Sequence, residues 1–302
     1  MDKNIIMKKK IKLAFSDFWE GFDNNPTGKE NSTIPSKSNN FFYCMLSEVF
    51  DIEISNQPDY LIYSVFGNNH SNYRNCKKIF YTGENLRPNL NYCDYAITFD
   101  YPSDDRCLRF PLSAVVLYEN NVFSTFEKNI NFDTIKQVKS KFCNFVFSNP
   151  APSSPRNLLF LELSKYKKVD SGGNVYNNLG KLVEAGWDNK MKFMNQYKFT
   201  ICFENSEYPG YTTEKIIHPK MVDSIPIYWG NPLVGNDWNT KAFINAYDFK
   251  SMNQLIDFIK EVDNNDDLYF SILRESHFKG EISKDLDYKS IISFFEKIVN
   301  LG

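Results

Sequence analysis

The sequence predicts an α/β protein of two halves, each built around a mostly parallel sheet. Three observations lead there. Short, continuously apolar runs rich in β-branched and aromatic residues recur along the chain, the pattern of strands buried on both faces. Segments with apolar residues at helical spacing stand between them, as in β-α-β units. After a polar, mixed stretch at 119–140 the same alternation begins again. A chain of 302 residues is long enough to give each half its own core. The boundary is expected near 135, giving an N-terminal half 1–135 and a C-terminal half 136–302 that ends in helices.

In the first half the strands are IKLAFSDF (11–18), DYLIYSVF (59–66), KKIFYTG (77–83) and YAITFDY (95–101), with a helix in NNFFYCMLSEVF (39–50). The Asn/Ser/Pro/Gly-rich segment 21–40 reads as a long loop, and long loops in compact domains are often functional. In the second half strand 141–148 leads to helix 155–166 and a loop containing SGGN. Helix 188–197, strand 199–204, helix 213–222 and strand 225–230 follow. Helices at 251–263, 266–274 and 288–299 close the chain.

Composition narrows the function classes. With 35 basic and 37 acidic residues the net charge is −2, so the whole chain offers no electrostatic footprint for nucleic acid or a membrane surface. The six cysteines show no C-x-x-C spacing and sit mostly in apolar runs, and only three histidines exist. A Cys/His metal site is not expected, and a reducing compartment is. The apolar run near the N-terminus is too short for a signal or a membrane span, so a soluble, cytoplasmic protein is expected.

The chemistry is sought where helices begin after strands, because ligands in open α/β sheets sit there. TTEKII puts Glu214 in a first helical turn, where an anion is welcome. It also puts Lys215 there, where a cation is disfavoured by roughly 0.3–1 kcal/mol unless something anionic is bound. The turn SNPAPSSPRN puts a second cation, Arg156, in the same kind of position. Each alone reads more readily as a solvated surface charge; together, with the Gly-rich loops SGGN and YPGY able to approach a ligand, they point to a polyphosphate site. The carboxylates of DYPSDD (Asp100, Asp104, Asp105) read as a solvated turn rather than a metal box. Glu84, beside Gly83 at the end of a strand, reads as a turn glutamate or as a carboxylate facing a ligand crevice.

FYTGEN followed by LRPN, NP with RN five residues on, and CFEN…GYTTEKII…IPIYWG-x-P together resemble the bacterial α1,3/4-fucosyltransferases, family ten of the sugar-nucleotide glycosyltransferases. The resemblance runs from about residue 11 to the final helices, and the block 203–232 is its most specific part. It implies a GT-B fold: two Rossmann-like domains facing across a central cleft, acceptor in the first and donor in the second. It implies GDP-β-L-fucose as donor and inverting transfer to O3 of N-acetylglucosamine or glucose in a β-galactoside acceptor. By position it makes Arg156 and Lys215 the pyrophosphate cations, Asn205, Tyr211 and Glu214 nucleotide contacts, and Glu84 the general base. No metal or other cofactor is expected to be required, a divalent ion being at most stimulatory. A transferase of another sugar nucleotide, or a non-catalytic nucleotide-sugar binder, are the alternatives. Pro219 departs from the family pattern and is expected to kink or end the motif helix. The heptad repeats and basic amphipathic tail of some bacterial members are absent.

Overall fold

The computed structural model describes residues 8–22, 24–26, 40–118, 122, 126, 131–150 and 154–301. The expected loop 21–40, the connection at 119–140 and the turn before Arg156 lie partly outside them. The chain divides into two compact units, Met1–Glu119 with Lys284–Gly302, and Asn120–Ser283.

The first unit holds a six-stranded sheet in the order β2-β1-β3-β4-β5-β6. Its strands are β1 (Lys9–Ser16), β2 (Phe50–Ile54), β3 (Tyr60–Tyr63), β4 (Lys77–Tyr81), β5 (Tyr95–Thr98) and β6 (Cys107–Arg109), and every pairing is parallel. The four apolar runs read from the sequence are β1, β3, β4 and β5. Two strands escaped that reading. β2, FDIEI, lies at an edge and carries charged residues, while β6 is three residues long; neither shows a continuous apolar run.

The second unit holds a five-stranded parallel sheet, order β11-β10-β9-β7-β8. It is built from β7 (Lys141–Phe145), β8 (Val169–Ser171), β9 (Tyr197–Phe203), β10 (Ile225–Trp229) and β11 (Ile244–Asn245). Its core joins Phe145, Phe199, Ile201, Phe203, Ile225 and Ile227 from the central strands to Leu159 and Leu163 of the helix Arg156–Ser164. Leu255, Ile259 and Val262 of the helix Met252–Asn264 complete it.

The last helix, Lys289–Leu301, differs from the expected division at 135/136: it belongs to the first unit. Its Phe294 ring meets Tyr95 edge-on at 6.0 Å, and the Val299 carbonyl accepts from Lys9 Nζ at 3.0 Å. Just before it, Asp285 pairs with the buried Arg109 at 2.9 Å. Nothing local in the sequence marks this return, because an amphipathic helix does not say which sheet it covers.

Pro219 acts as expected. In place of one helix over 213–222 there is a 3₁₀ turn, Glu214–Ile216, and a single α-turn, Ile217–Lys220. Among the described residues no helix is long and apolar enough to cross a membrane.

Candidate functional site

Because β7, β9 and β10 run parallel and adjacent, their carboxyl ends deliver three loops to one edge of the second sheet. β7 leads through Phe147 and Asn149 to Arg156, β9 runs into Glu204 and Asn205, and β10 into Gly230 and Asn231. The sequence places most of its candidate residues here, and the structure brings Arg156, Asn205, Tyr211, Glu214 and Lys215 into one unit.

Arg156 opens its helix and is fully buried. Its guanidinium lies over the Phe147 ring, 4.1 Å from the centroid. Nη1 donates to Asn205 Oδ1 at 2.9 Å and Nη2 to the Asn149 carbonyl. Nε has no hydrogen-bond partner among the described residues, so one N–H of a buried cation stays unspent. Burial pulls its pKa down to about 10 against the pull of Glu204, and it remains charged at neutral pH.

Lys215 has an anion of its own. Nζ lies 3.1 Å from Glu204 Oε2 and 3.6 Å from Glu214 Oε1, and it donates to Thr213 Oγ1 at 3.0 Å. Glu204 is wholly buried. It accepts from the Thr213 amide at 2.8 Å and from the Thr213 hydroxyl at 3.0 and 2.9 Å. Gly230 makes this possible: its φ is 144°, and a Cβ there would fall 2.4 Å from Glu204 Cγ. Desolvation by burial pulls the Lys215 pKa down, but Glu204 and Glu214 outweigh this and hold it above the ordinary value. Burial likewise would raise the Glu214 carboxyl, yet Lys215 and Lys190 hold it well below the usual carboxylate range. The anion expected from the odd placement of Lys215 is therefore already partly built into the fold.

Three residues of this site were not read from the sequence. Glu204 ends an apolar strand, a position that says nothing about where its carboxylate points. Lys190, half-buried on the helix Trp187–Met194, has its ammonium pKa lowered by burial while Glu214 opposes that shift. Asn231 accepts from the Gly210 and Leu233 amides at 2.8 and 2.9 Å and donates to Thr212 Oγ1 at 3.0 Å. It thereby ties the loop before the 3₁₀ turn to the end of β10. The group sums to one net positive charge: Arg156, Lys190 and Lys215 against Glu204 and Glu214. An anion bound here would be met by that surplus and by donors already held in place. Tyr211 is 2% exposed and sits in this cluster beside Lys215; Glu214 keeps 27% and Lys215 16% of their side chains open.

The Lys215–Glu204 pair gives a testable stability result. Breaking a buried pair by removing one partner costs on the order of 3 kcal/mol, because the other charge stays buried. Lys215→Ala is expected to lower the unfolding free energy read from urea denaturation by that order, and Lys215→Ala with Glu204→Gln to recover most of the loss. Equal losses in the single and double variants would show that Glu204 is not the partner that matters.

Glu84 belongs to the first unit. It is exposed in the turn after β4, with its amide donating to Thr82 Oγ1 at 3.0 Å and its carbonyl accepting from the Leu86 amide at 2.7 Å. Gly83 has a packing reason for being glycine, since a Cβ would fall 2.9 Å from Leu112 Cδ2. The DYPSDD carboxylates are engaged by cations: Asp104 takes Arg106 at 2.7 Å, Asp105 takes Lys297 at 3.2 Å and Asp100 takes Arg87 at 3.7 Å. Among the described residues no group of three His, Cys, Asp or Glu is placed to hold a metal ion.

Residues 13–118 match the α-(1,3)-fucosyltransferase FucT N-terminal domain, and residues 136–286 match the C-terminal region of glycosyltransferase family 10, the fucosyltransferases. The α-(1,3)-fucosyltransferase FucT of Helicobacter pylori is 34% identical over 96% of this chain and 66% of its own length. Human GDP-fucose protein O-fucosyltransferase 3 is 28% identical over 65% of the chain and 42% of its length. The chain thus spans less than two thirds of these relatives. Crystal structures of an α1,3-fucosyltransferase superpose with a TM-score of 0.77 alone and 0.75 with GDP-fucose. Both are 31% identical and cover 99% of this chain, and 92% and 93% of theirs. The fold is therefore that of the GT-B enzymes.

Proposed function

The chain belongs to glycosyltransferase family 10, the fucosyltransferases, and from that premise we propose that it moves L-fucose from GDP-β-L-fucose, with inversion, to O3 of N-acetylglucosamine or glucose in a β-galactoside. The observation that carries this reading is the cradle at the carboxyl edge of the second sheet. There the buried Arg156 is held by Asn205, and Lys215 is held by Glu204 and Thr213. In the comparison, a 31% identical enzyme of the same fold carries GDP-fucose.

The roles follow from the chemistry. Arg156 and Lys215 take the diphosphate, whose charge grows as the bond to fucose breaks, so their attraction is stronger in the transition state than in the ground state. Arg156 Nε, without a partner among the described residues, is available to donate to it. Asn205 orients the guanidinium and Glu214 takes a ribose hydroxyl as a charged acceptor. Tyr211 closes the nucleotide end of the cluster. Glu84, exposed and on the other unit, takes the proton of the acceptor hydroxyl. A sugar hydroxyl is too weak an acid to ionise first, so the proton leaves as the new C–O bond forms.

The direct experiment incubates the protein with GDP-fucose and lactose, N-acetyllactosamine or its type 1 isomer, and identifies the linkage by NMR. Fucose on O3 next to a β-galactoside supports the reading; a product from another sugar nucleotide, or none at all, overturns it. Catalysis is proposed to need no metal, because Arg156, Lys215 and backbone donors take the place of one at the diphosphate. Activity in EDTA is expected to stay within about twofold of the untreated enzyme. Complete loss restored by one divalent ion would reverse that assignment. We propose that the enzyme is cytoplasmic, with any membrane attachment peripheral.

A further inference from the structure

At the carboxyl end of β1 the chain takes an uncommon course. Asp17 has a left-handed backbone, φ 60°, and its buried carboxylate accepts from the Asn69 and His70 amides, both at 2.8 Å, and lies 2.7 Å from His70 Nδ1. The Phe66 amide donates to the Asp17 carbonyl at 2.9 Å. A Cβ on Gly67 would lie 2.4 Å from Asp17 Oδ1, so the approach is close enough to require glycine. Left-handed backbone outside glycine costs free energy and persists where the surroundings over-determine it. Here four contacts fasten the loop after β3 to the segment after β1.

That fastening displays two aromatic rings. Phe66 is 50% exposed and meets the half-buried Trp19 edge-on at 6.2 Å. Trp19 is backed by Phe18 at 5.6 Å, and Phe18 stacks on Tyr81 at 6.3 Å. Tyr81 ends β4, whose following turn carries Glu84. Since β1, β3 and β4 are adjacent and parallel, these rings and Glu84 belong to the same edge of the first sheet.

We infer that Trp19 and Phe66 form a stacking platform for the galactose ring of the acceptor, seated on the same sheet edge as Glu84. The inference rests on the reading of the chain as a fucosyltransferase acting on β-galactosides. Its chemistry is specific. The axial O4 of β-galactose gathers the C–H bonds at C3, C4 and C5 on one face, making an apolar patch that suits an aromatic ring. N-acetylglucosamine and glucose keep their hydroxyls equatorial and have no such one-sided patch. Rigid aromatic rings with few torsions give contact area at low entropy cost. Asp17 is the positioning residue that holds both rings.

The test compares N-acetyllactosamine with N-acetylglucosamine as acceptors in wild type, Trp19→Ala and Phe66→Ala. The disaccharide KM is expected to rise roughly 5- to 50-fold in Trp19→Ala, the range for losing an aromatic anchor, and less in Phe66→Ala. The KM for N-acetylglucosamine and the affinity for GDP are expected to stay unchanged. Trp19→Phe keeps a ring and should restore most of the disaccharide preference, which separates stacking from a folding defect. Saturation-transfer NMR with methyl β-galactoside gives a readout without turnover: enhancement at H3, H4 and H5 in wild type, lost in Trp19→Ala. Equal KM changes for both acceptors, or unchanged disaccharide preference, overturns the platform while leaving the enzyme reading intact. A wild type that fucosylates no β-galactoside overturns both.

Discussion

Glu84→Gln is expected to lower kcat by about 10²–10⁴-fold, the usual worth of a general base, while GDP-fucose affinity changes by no more than a few-fold. Gln keeps the shape of the side chain and removes its basic oxygen. Inverting displacement at the anomeric carbon needs the acceptor hydroxyl on the face opposite the departing diphosphate. The base should therefore not come from among the residues that hold the diphosphate. Glu84 meets that condition: it belongs to the first unit, whereas Arg156, Glu204 and Lys215 belong to the second. Its carboxylate is exposed and free to meet a substrate. The variant's turn should stay as it is, since its hydrogen bonds to Thr82 and Leu86 use backbone atoms of residue 84. Single-turnover rates and calorimetric GDP-fucose titration separate the two effects. Near-normal kcat, or loss of donor binding as the main defect, would remove Glu84 from the mechanism.

Arg156→Met is expected to weaken GDP binding roughly 10- to 150-fold, the loss of a charge-assisted contact worth about 1.5–3 kcal/mol. Met is chosen over Ala because the guanidinium lies over Phe147 in a buried site. Ala would add the cost of a cavity to the loss of charge. Arg156→Lys should recover only part of the affinity. It keeps the charge but not the planar fork that reaches Asn205 and the Asn149 carbonyl together. Salt should matter less here than at an exposed cation, because the group is screened from solvent. Calorimetry with GDP at two salt concentrations checks both points. Unchanged GDP affinity in Arg156→Met would exclude this residue from the diphosphate site.

The Lys215 position shows where a sequence argument ends. A cation in a first helical turn points to a bound anion, and in the fold Lys215 already has the Glu204 carboxylate beside it. Whether the anion is a ligand or a side chain depends on which way Glu204 points. That follows from the close approach of Gly230 on the neighbouring strand, a contact between segments that no local pattern records. One consequence reverses an expectation from helix electrostatics alone: removing Lys215 should destabilise the unliganded protein, because it strands Glu204. Gly83 makes a similar point. Along the chain it is only the turn residue beside Glu84, but in the fold its missing Cβ makes room for Leu112.

The sequence by itself determined the α/β class, the four buried strands of the first sheet and the break in the motif helix at Pro219. It also determined the family, through the block from 203 to 232. These are properties of local pattern: continuous apolar runs, a missing backbone N–H, and residue types at fixed spacing. Only the tertiary structure decided that the last helix returns to the first sheet. It alone decided that Glu204 is buried against Lys215, and that Asp17 fastens the loop that displays Phe66 beside Trp19. Each depends on residues from separate elements meeting once the sheets are assembled. Burial then fixes the strength of their charges and the direction of their side chains, and burial is settled only when the sheets are assembled.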